Sequence, residues 1–273
     1  MSRPGFKRLM QHPLLEVVRV GERPGLLLLD YDGTLAPFRA HRDEAVPYPG
    51  VREALERLPV EGPGRFALVS GRDVEDVSRL LGLAAKPEIW GGHGGQRRDL
   101  SGRILSRRLE PEQEAFLDRA GEMLAVRTAG VLERKSCSLA LHTRAAGEDG
   151  PLLLAKAGRL WRKPAAAAGF ALHAFDGGLE LRLPGITKGE AVRVLAAENP
   201  DSVLVYLGDD LTDEDAFKAL GEHGLGILVR ARQRKTAASG RLCPPEELLL
   251  FLNAWPGKKD THHHHVMGCL GQP

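Results

Sequence analysis

Leu26-Leu27-Leu28-Leu29-Asp30-Tyr31-Asp32-Gly33-Thr34 is the stretch on which the fold turns. Four leucines in a row, bounded upstream by Arg23-Pro24-Gly25, read as a short strand buried on both faces. That is the pattern of a parallel sheet covered by helices. Two aspartates, a glycine and a threonine follow at its carboxyl end, where the chain must leave the sheet. In open α/β sheets, chemistry sits just beyond the carboxyl ends of the strands. Two carboxylates there can hold a hard cation, and one can attack an electrophile. Taken alone, the same residues fit a buried strand ending in a polar turn, so the choice rests on the rest of the chain.

The chain has 273 residues, enough for one large domain or two smaller ones with a buried core. It is 42% hydrophobic and 27% charged, with a net charge of +2. Acidic and basic residues are interspersed, which excludes the strong basic patterning of a nucleic-acid or membrane-surface protein. Cys137, Cys243 and Cys269 are odd in number and contain no C-x-x-C, so free thiols in a reducing compartment are expected. The first 20 residues lack the apolar core of a signal peptide, and no apolar run reaches a bilayer-spanning length. The expectation is a cytoplasmic protein, with a monomer favoured.

Apolar runs and breakers divide the chain into three parts. Helical spacing is expected over 13–20 and 50–58. Phe66–Val69 reads as a second strand ending in Ser70-Gly71-Arg72. A helix capped by Asp73 runs to about Leu81, and Glu88–Trp90 is a third strand ending in Gly91-Gly92-His93-Gly94-Gly95. Strands alternating with helices at this spacing imply βαβ units. From about Arg103 to Leu183 the rhythm changes to strand, helix, strand, strand, helix, strand, strand. Pro164 should end or kink the second of those helices, and Asp176-Gly177-Gly178 reads as a hairpin turn. This predicts an α+β insert with an antiparallel sheet. After Pro184 the alternation resumes with a helix over 188–198, a buried strand over 202–207 ending in Gly208-Asp209-Asp210, a helix from Asp213, a strand over 225–229 and a closing helix over 246–255. The expected organisation is a discontinuous core, 1–102 and 184–256, an insert over 103–183, and a disordered tail over 257–273 that includes His262–His265.

Aligned parallel strands would bring Asp30, Asp32, Ser70, Asp209 and Asp210 to one edge, with Lys188 opening the helix after the insert. Carboxylates that close repel one another unless a cation sits among them. An all-oxygen site with open positions suits Mg²⁺. An ionised carboxylate there can attack phosphorus, a second aspartate can move the proton, and Lys188 and Ser70 can hold phosphoryl oxygens.

Asp30-Tyr-Asp-Gly-Thr-Leu35, Ser70-Gly-Arg72, Lys188-Gly189 and Gly208-Asp-Asp-Leu-Thr-Asp213-Glu-Asp-Ala-Phe217 resemble the four motifs of the haloacid dehalogenase superfamily. Within it the chain resembles the trehalose-phosphatase family. That resemblance rests on Asp30 to Pro37, the run at 212–217 and the His93-Gly94 turn, and more loosely on Thr236-Ala237-Ala238. It implies a Rossmann-like parallel-sheet core with an inserted α+β cap domain. It also implies Asp30 as nucleophile and Asp32 as general acid and base. Mg²⁺ would be ligated by Asp30, Asp209 and the backbone carbonyl of Asp32, with Asp213 in support. Ser70 and Lys188 would bind the phosphoryl group. The substrate side would include Gly71, Arg72, His93 and Gly94 from the core, and Glu133, Lys135, His142 and Glu180 from the cap. The implied reaction is hydrolysis of a small sugar phosphate, trehalose 6-phosphate. The alternatives are another sugar phosphate, such as a mannosyl-phosphoglycerate or sucrose phosphate, or a non-catalytic sugar-phosphate-binding regulator. Three positions depart from the family pattern: Gly95-Gln96, Arg134 and Thr143.

Overall fold

The computed structural model describes residues 3–39, 42–124, 131–175 and 177–256. Cys269 and the histidine-bearing tail lie outside them. Two short helices lead in, α1 (Pro4–Met10) and α2 (Pro13–Arg19). They are followed by β1 (Gly25–Leu29), α3 (Val51–Glu56), β2 (Phe66–Val69), α4 (Val74–Leu81), β3 (Glu88–Gly91), β4 (Gln96–Arg98) and β5 (Ile104–Ser106). The insert then supplies α5 (Pro111–Leu124), β6 (Leu132–Arg134), β7 (Ser138–His142), α6 (Gly150–Ala167), β8 (Ala171–Phe175) and β9 (Gly178–Arg182). The chain closes with α7 (Lys188–Glu198), β10 (Val203–Gly208), α8 (Asp213–Ala219), β11 (Gly224–Val229), β12 (Gly240–Leu242) and α9 (Glu246–Ala254).

β1 occupies the middle of an eight-stranded sheet of order β12-β11-β10-β1-β2-β3-β4-β5. All neighbours from β12 to β3 run parallel, while β4 and β5 add an antiparallel edge. The leucines of β1 alternate between two apolar clusters. Leu27 and Leu29 pack with α1, α2, α3, α4 and α9, and Leu26 and Leu28 with α7 and α8. That is why the strand reads as an unbroken apolar run rather than an alternation. Strand order reverses between β1 and β10, so the residues that follow these two strands flank the switch point, the usual position of a site in such sheets.

The insert folds as a four-stranded antiparallel sheet, β6-β7-β9-β8, with α5 and α6 against one face. Trp161 is fully buried there and its indole N–H donates to the Ala120 carbonyl at 2.8 Å. Register aligns Glu133 with Ala140, Ala140 with Glu180, and Glu180 with His173. Period-two geometry therefore puts these residues on the face opposite the helices. Alternate polar residues on strands ordinarily form a solvated face, but Lys135, Glu180 and Arg182 are buried, because this face is turned onto the core.

Three local expectations change. Ile104–Ser106, expected to open the insert at 103, pairs with β4 and completes the large sheet. Pro164 neither ends nor breaks α6, which continues one more turn to Ala167 and closes through Ala168 N–H to the Pro164 carbonyl. Asp73 stands at the N-cap of α4 but makes no capping bond. Gln96 takes that role, its Oε1 accepting from Val74 N–H at 2.9 Å, while the Asp73 carboxylate accepts from Ser136 N–H of the insert. α1, β4 and β12 were not foreseen: each is short, β4 and β12 lack apolar periodicity, and α1 shows it over only one turn, at Phe6, Leu9 and Met10.

Cys137 of the insert also bears on the core at Gly95. A Cβ added to Gly95 would lie 2.5 Å from the Cys137 sulfur. Gly95→Ala should therefore lower stability by about 1–3 kcal/mol, as overpacking does. Cys137→Ala in the same chain should recover most of that loss. Urea unfolding of the four combinations measures the coupling, and simple additivity would show that the two residues do not meet.

Candidate active site

The glycine after the first aspartate pair sets the geometry. Gly33 has φ 83°, and a Cβ there would lie 2.3 Å from the Asp209 carboxylate, so only glycine lets the β1 turn approach the β10 turn. That approach gathers Asp30, Asp209 and Asp213, whose carboxylate oxygens lie within 4.8 Å of one another, all buried. Lys188, the first residue of α7, enters from below. Its ammonium donates to Asp30 Oδ1 at 2.6 Å and to Asp213 Oδ1 at 2.7 Å. Thr187 caps that helix by accepting from Glu190 N–H at 3.1 Å, which fixes where the lysine leaves the backbone.

Asp213 has little capacity left. Its Oδ1 also accepts from the Tyr206 hydroxyl at 2.7 Å, and its Oδ2 takes the N–H groups of Asp209 and Asp210 at 2.9 and 2.8 Å. Asp209 Oδ1, by contrast, is buried and has no hydrogen-bond partner among the described residues. A buried orphan oxygen beside a second carboxylate in an all-oxygen set fits a hard divalent cation, with Asp30 and Asp209 as the direct donors.

Asp32 is held separately. The buried Arg72 guanidinium grips it in a two-pronged pair, Nε to Oδ2 and Nη2 to Oδ1, both at 2.7 Å. Arg72 Nη2 also donates to the Arg42 carbonyl at 2.8 Å, and the guanidinium lies over the Tyr31 ring. Arg72, expected to meet substrate, thus spends its donors on Asp32 and the 37–49 loop.

The insert closes over this floor. Lys135 donates to the Gly71 carbonyl at 2.8 Å and to Glu180 Oε1 at 2.9 Å, and Ser138 donates to the same oxygen. His93 Nε2 lies 3.0 Å from Glu180 Oε2. Arg42 pairs with Glu133, whose other oxygen lies 2.8 Å from His142 Nε2. Arg144 rests over the Phe38 ring, 4.2 Å from its centre. A cleft between insert and core is the result.

A family model described as trehalose-phosphatase matches residues 28–244, which spans the whole of this site. The chain belongs to that family. Among trehalose-phosphatase relatives, the trehalose-6-phosphate phosphatase of Escherichia coli K12 is 31% identical over 242 residues, covering 85% of this chain and 86% of that one. The trehalose-phosphate phosphatase of Mycobacterium marinum is 33% identical over 245 residues, covering 84% of this chain, which spans 60% of that protein's length. The C-terminal domain of C. albicans trehalose-6-phosphate phosphatase superposes with a TM-score of 0.76 at 25% identity, covering 87% of this chain and 94% of that one. A haloacid dehalogenase-like hydrolase from Bacteroides thetaiotaomicron shares the fold at 17% identity and a TM-score of 0.63. The core thus has the haloacid dehalogenase architecture.

In this trehalose-phosphatase chain the cleft is lined by Asp30, Asp32, Gly71, Arg72, His93, Lys135, His142, Glu180 and Lys188 of the residues expected from sequence. Asp209 and Asp213 lie behind Asp30. Ser70 is fully buried beneath the floor, where its Oγ accepts from Arg72 N–H at 3.1 Å. Gly94 faces away from the cleft and packs on the start of α7, where a Cβ would lie 3.1 Å from the Thr187 carbonyl. Glu133 stands outside the lining and braces Arg42 and His142. Phe38, Arg39, Arg42, Arg144, Phe175, Gly177, Asp210 and Thr212 complete the wall. Most come from turns and from the proline-rich loop, where no periodicity announces a role.

Burial, reinforced by Asp213, raises the Asp30 carboxyl to about 8 against the pull of Lys188. Burial and the neighbouring Asp30 and Asp213 raise Asp209 well above the ordinary range. Burial would lower Lys188, but Asp213 and Asp30 outweigh it and raise the ammonium instead. Around Glu180 the balance is opposite. Burial works to raise this carboxyl, yet Lys135, His93 and Arg182 together hold it well below 4.5. Burial, with Arg182, holds His93 well below 6.5. His93 also has φ 58°, a left-handed conformation that marks constraint in a non-glycine residue.

The unfolded chain protonates His93 near pH 6.5 while the folded chain keeps it neutral. Stability therefore falls as pH drops below that value, by up to about 1.4 kcal/mol per pH unit from this group. Glu180, kept ionised by folding, adds a further loss below 4.5. His93→Asn tolerates the positive φ and does not titrate. It should fall less steeply than wild type between pH 6.5 and 4.5. Urea midpoints across that range check this, and parallel curves would contradict a neutral His93.

Proposed function

We propose that this chain is a Mg²⁺-dependent phosphatase that hydrolyses trehalose 6-phosphate to trehalose and phosphate through an aspartyl-phosphate. The observation that carries the reading is Asp30. A buried carboxylate is held 2.6 Å from the Lys188 ammonium, beside an orphan carboxylate oxygen and at the floor of a cleft. Family membership, the curated relatives and the superposed C. albicans domain support the sugar assignment.

Asp30, Asp209 and the Asp32 backbone carbonyl would hold the ion, with Asp213 fixing the loop that carries Asp209. A bound Mg²⁺ supplies a counter-charge to the carboxylates and to the phosphoryl oxygens. Asp30 then attacks phosphorus: its oxygen bonds to phosphorus as the ester P–O bond breaks. Asp32, held by Arg72 on the cleft side, gives a proton to the departing sugar oxygen. It next takes a proton from water, which attacks the aspartyl-phosphate at phosphorus, releasing phosphate and restoring Asp30. Lys188 stabilises charge at the reacting group. Ser70 acts through the Arg72 backbone it anchors. The insert serves as the cap: Lys135, His142, Glu180 and Arg144 face the sugar, and closure excludes bulk water.

Phosphate release from a panel of sugar phosphates, with and without Mg²⁺, tests this directly. Trehalose 6-phosphate should be the preferred substrate, and chelation should abolish turnover until Mg²⁺ is restored. A rate on sucrose phosphate or a mannosyl-phosphoglycerate matching that on trehalose 6-phosphate would overturn the sugar assignment. Asp30→Asn should lose at least about a thousandfold in kcat. Asp32→Asn should keep its substrate affinity while kcat falls by about 10²- to 10⁴-fold, the usual share of general acid–base catalysis. Full activity in either variant would sink the mechanism.

A further inference from the structure

The loop from β10 to α8 carries Asp209 and Asp210, and it is pinned from two opposite sides. Asp213 Oδ2 takes the N–H of both residues. From the other side Arg234, on the β11–β12 connection, takes both carbonyls. Its Nη2 donates to Asp209 O at 3.1 Å and to Asp210 O at 2.8 Å, and its Nε donates to Asp209 O at 3.3 Å. The guanidinium is itself anchored. Nη1 pairs with Glu214 of α8 and donates to the Lys235 carbonyl at 2.9 Å, while the other Glu214 oxygen accepts from Ala237 N–H at 2.7 Å. Three consecutive peptide units are thus fixed. The Asp213 carboxylate holds the N–H groups of units 208–209 and 209–210, Arg234 holds the carbonyls of units 209–210 and 210–211, and the 209–210 unit is gripped on both edges. Arg230 adds a longer contact to Asp209 O at 3.4 Å.

We infer that Arg234 is a positioning residue for the metal ligand Asp209, setting the direction in which its unpartnered Oδ1 points. This rests on the Mg²⁺ reading above. The chemistry argues for geometry rather than charge. A cation placed behind a cation site weakens metal binding by Coulomb repulsion, so Arg234 aids the site only by holding the peptide planes. The two contributions have opposite signs and can be separated. Lysine keeps the charge, but its single nitrogen cannot hold the Asp209 and Asp210 carbonyls while separate nitrogens bond Glu214 and the second edge of Asp209 O, as the guanidinium does.

Mn²⁺ binding to the full-length protein, followed by loss of the free-ion EPR signal, reads the effect without turnover. Arg234→Lys and Arg234→Ala should each raise the dissociation constant by about tenfold, the scale seen when groups supporting metal ligands are removed. Thermal melts in the absence of metal report folding. Arg234→Lys retains the charge and serves if the alanine variant does not fold. Unchanged binding in the lysine variant, or tighter binding in the alanine variant, would overturn the inference. Absence of saturable Mn²⁺ binding in the wild type would overturn the metal reading itself, and this inference with it.

Discussion

Three carboxylates and one ammonium, buried together where strand order reverses, are the constraint on which the rest of this structure depends. Asp30, Asp209 and Asp213 face Lys188 with almost none of their surface open to solvent. Burying an unpaired charge is costly, and an excess of carboxylates raises their proton affinity. Each surrounding element reduces that cost. Tyr206 and two peptide N–H groups saturate Asp213, Thr187 fixes the start of the helix that carries the lysine, and Gly33 removes the one Cβ that would keep the two turns apart. The oxygen left over on Asp209 is the one the proposed Mg²⁺ would take.

The insert solves a related problem differently. Glu180 is also buried, but two cationic side chains and the His93 ring surround it and it remains ionised. Its partners come from both layers: Lys135 and Arg182 from the insert, His93 from the core. The contacts that hold the insert down are therefore made by side chains lining the cleft. On the function proposed above, substrate recognition and closure would draw on the same hydrogen-bonding groups, and a sugar hydroxyl would have to offer Glu180 and Lys135 what they already obtain from each other.

Much of this is legible in the sequence. The apolar runs of β1, β2 and β10 and the polar residues at their ends gave the core its order, and Lys188 stands at the first turn of α7 where the helical spacing placed it. Other features were not readable because they are decided across space. Gln96 caps α4 only because β4 returns beside it, which releases Asp73 to the insert. Arg72 was visible as a residue of the second motif, but nothing local indicates that its guanidinium turns to Asp32. Arg42 and Phe38 lie in a loop without periodicity. Nothing local to Arg234 points to a role, because its target carbonyls come from a different loop. The membership of Ile104–Ser106 in the large sheet depends on register with β4, and strand length and composition carry no trace of that pairing.

The placement of β1 has a consequence for the order in which the molecule can be made. One side of the strand pairs with β2, which follows closely in the chain, but the other side pairs with β10, Leu27 opposite Val205, after the entire insert has been synthesised. Translation proceeds at about 5–20 residues per second, so a strand that ends up wholly buried spends many seconds with a naked hydrogen-bonding edge. Until β10 arrives, Asp30 lacks the neighbouring carboxylates Asp209 and Asp213, which follow that strand, and the site is incomplete. The insert, whose strands all pair within its own span, can fold while the core waits. The nascent chain is most exposed to aggregation during that interval, and its catalytic centre is among the last things to form.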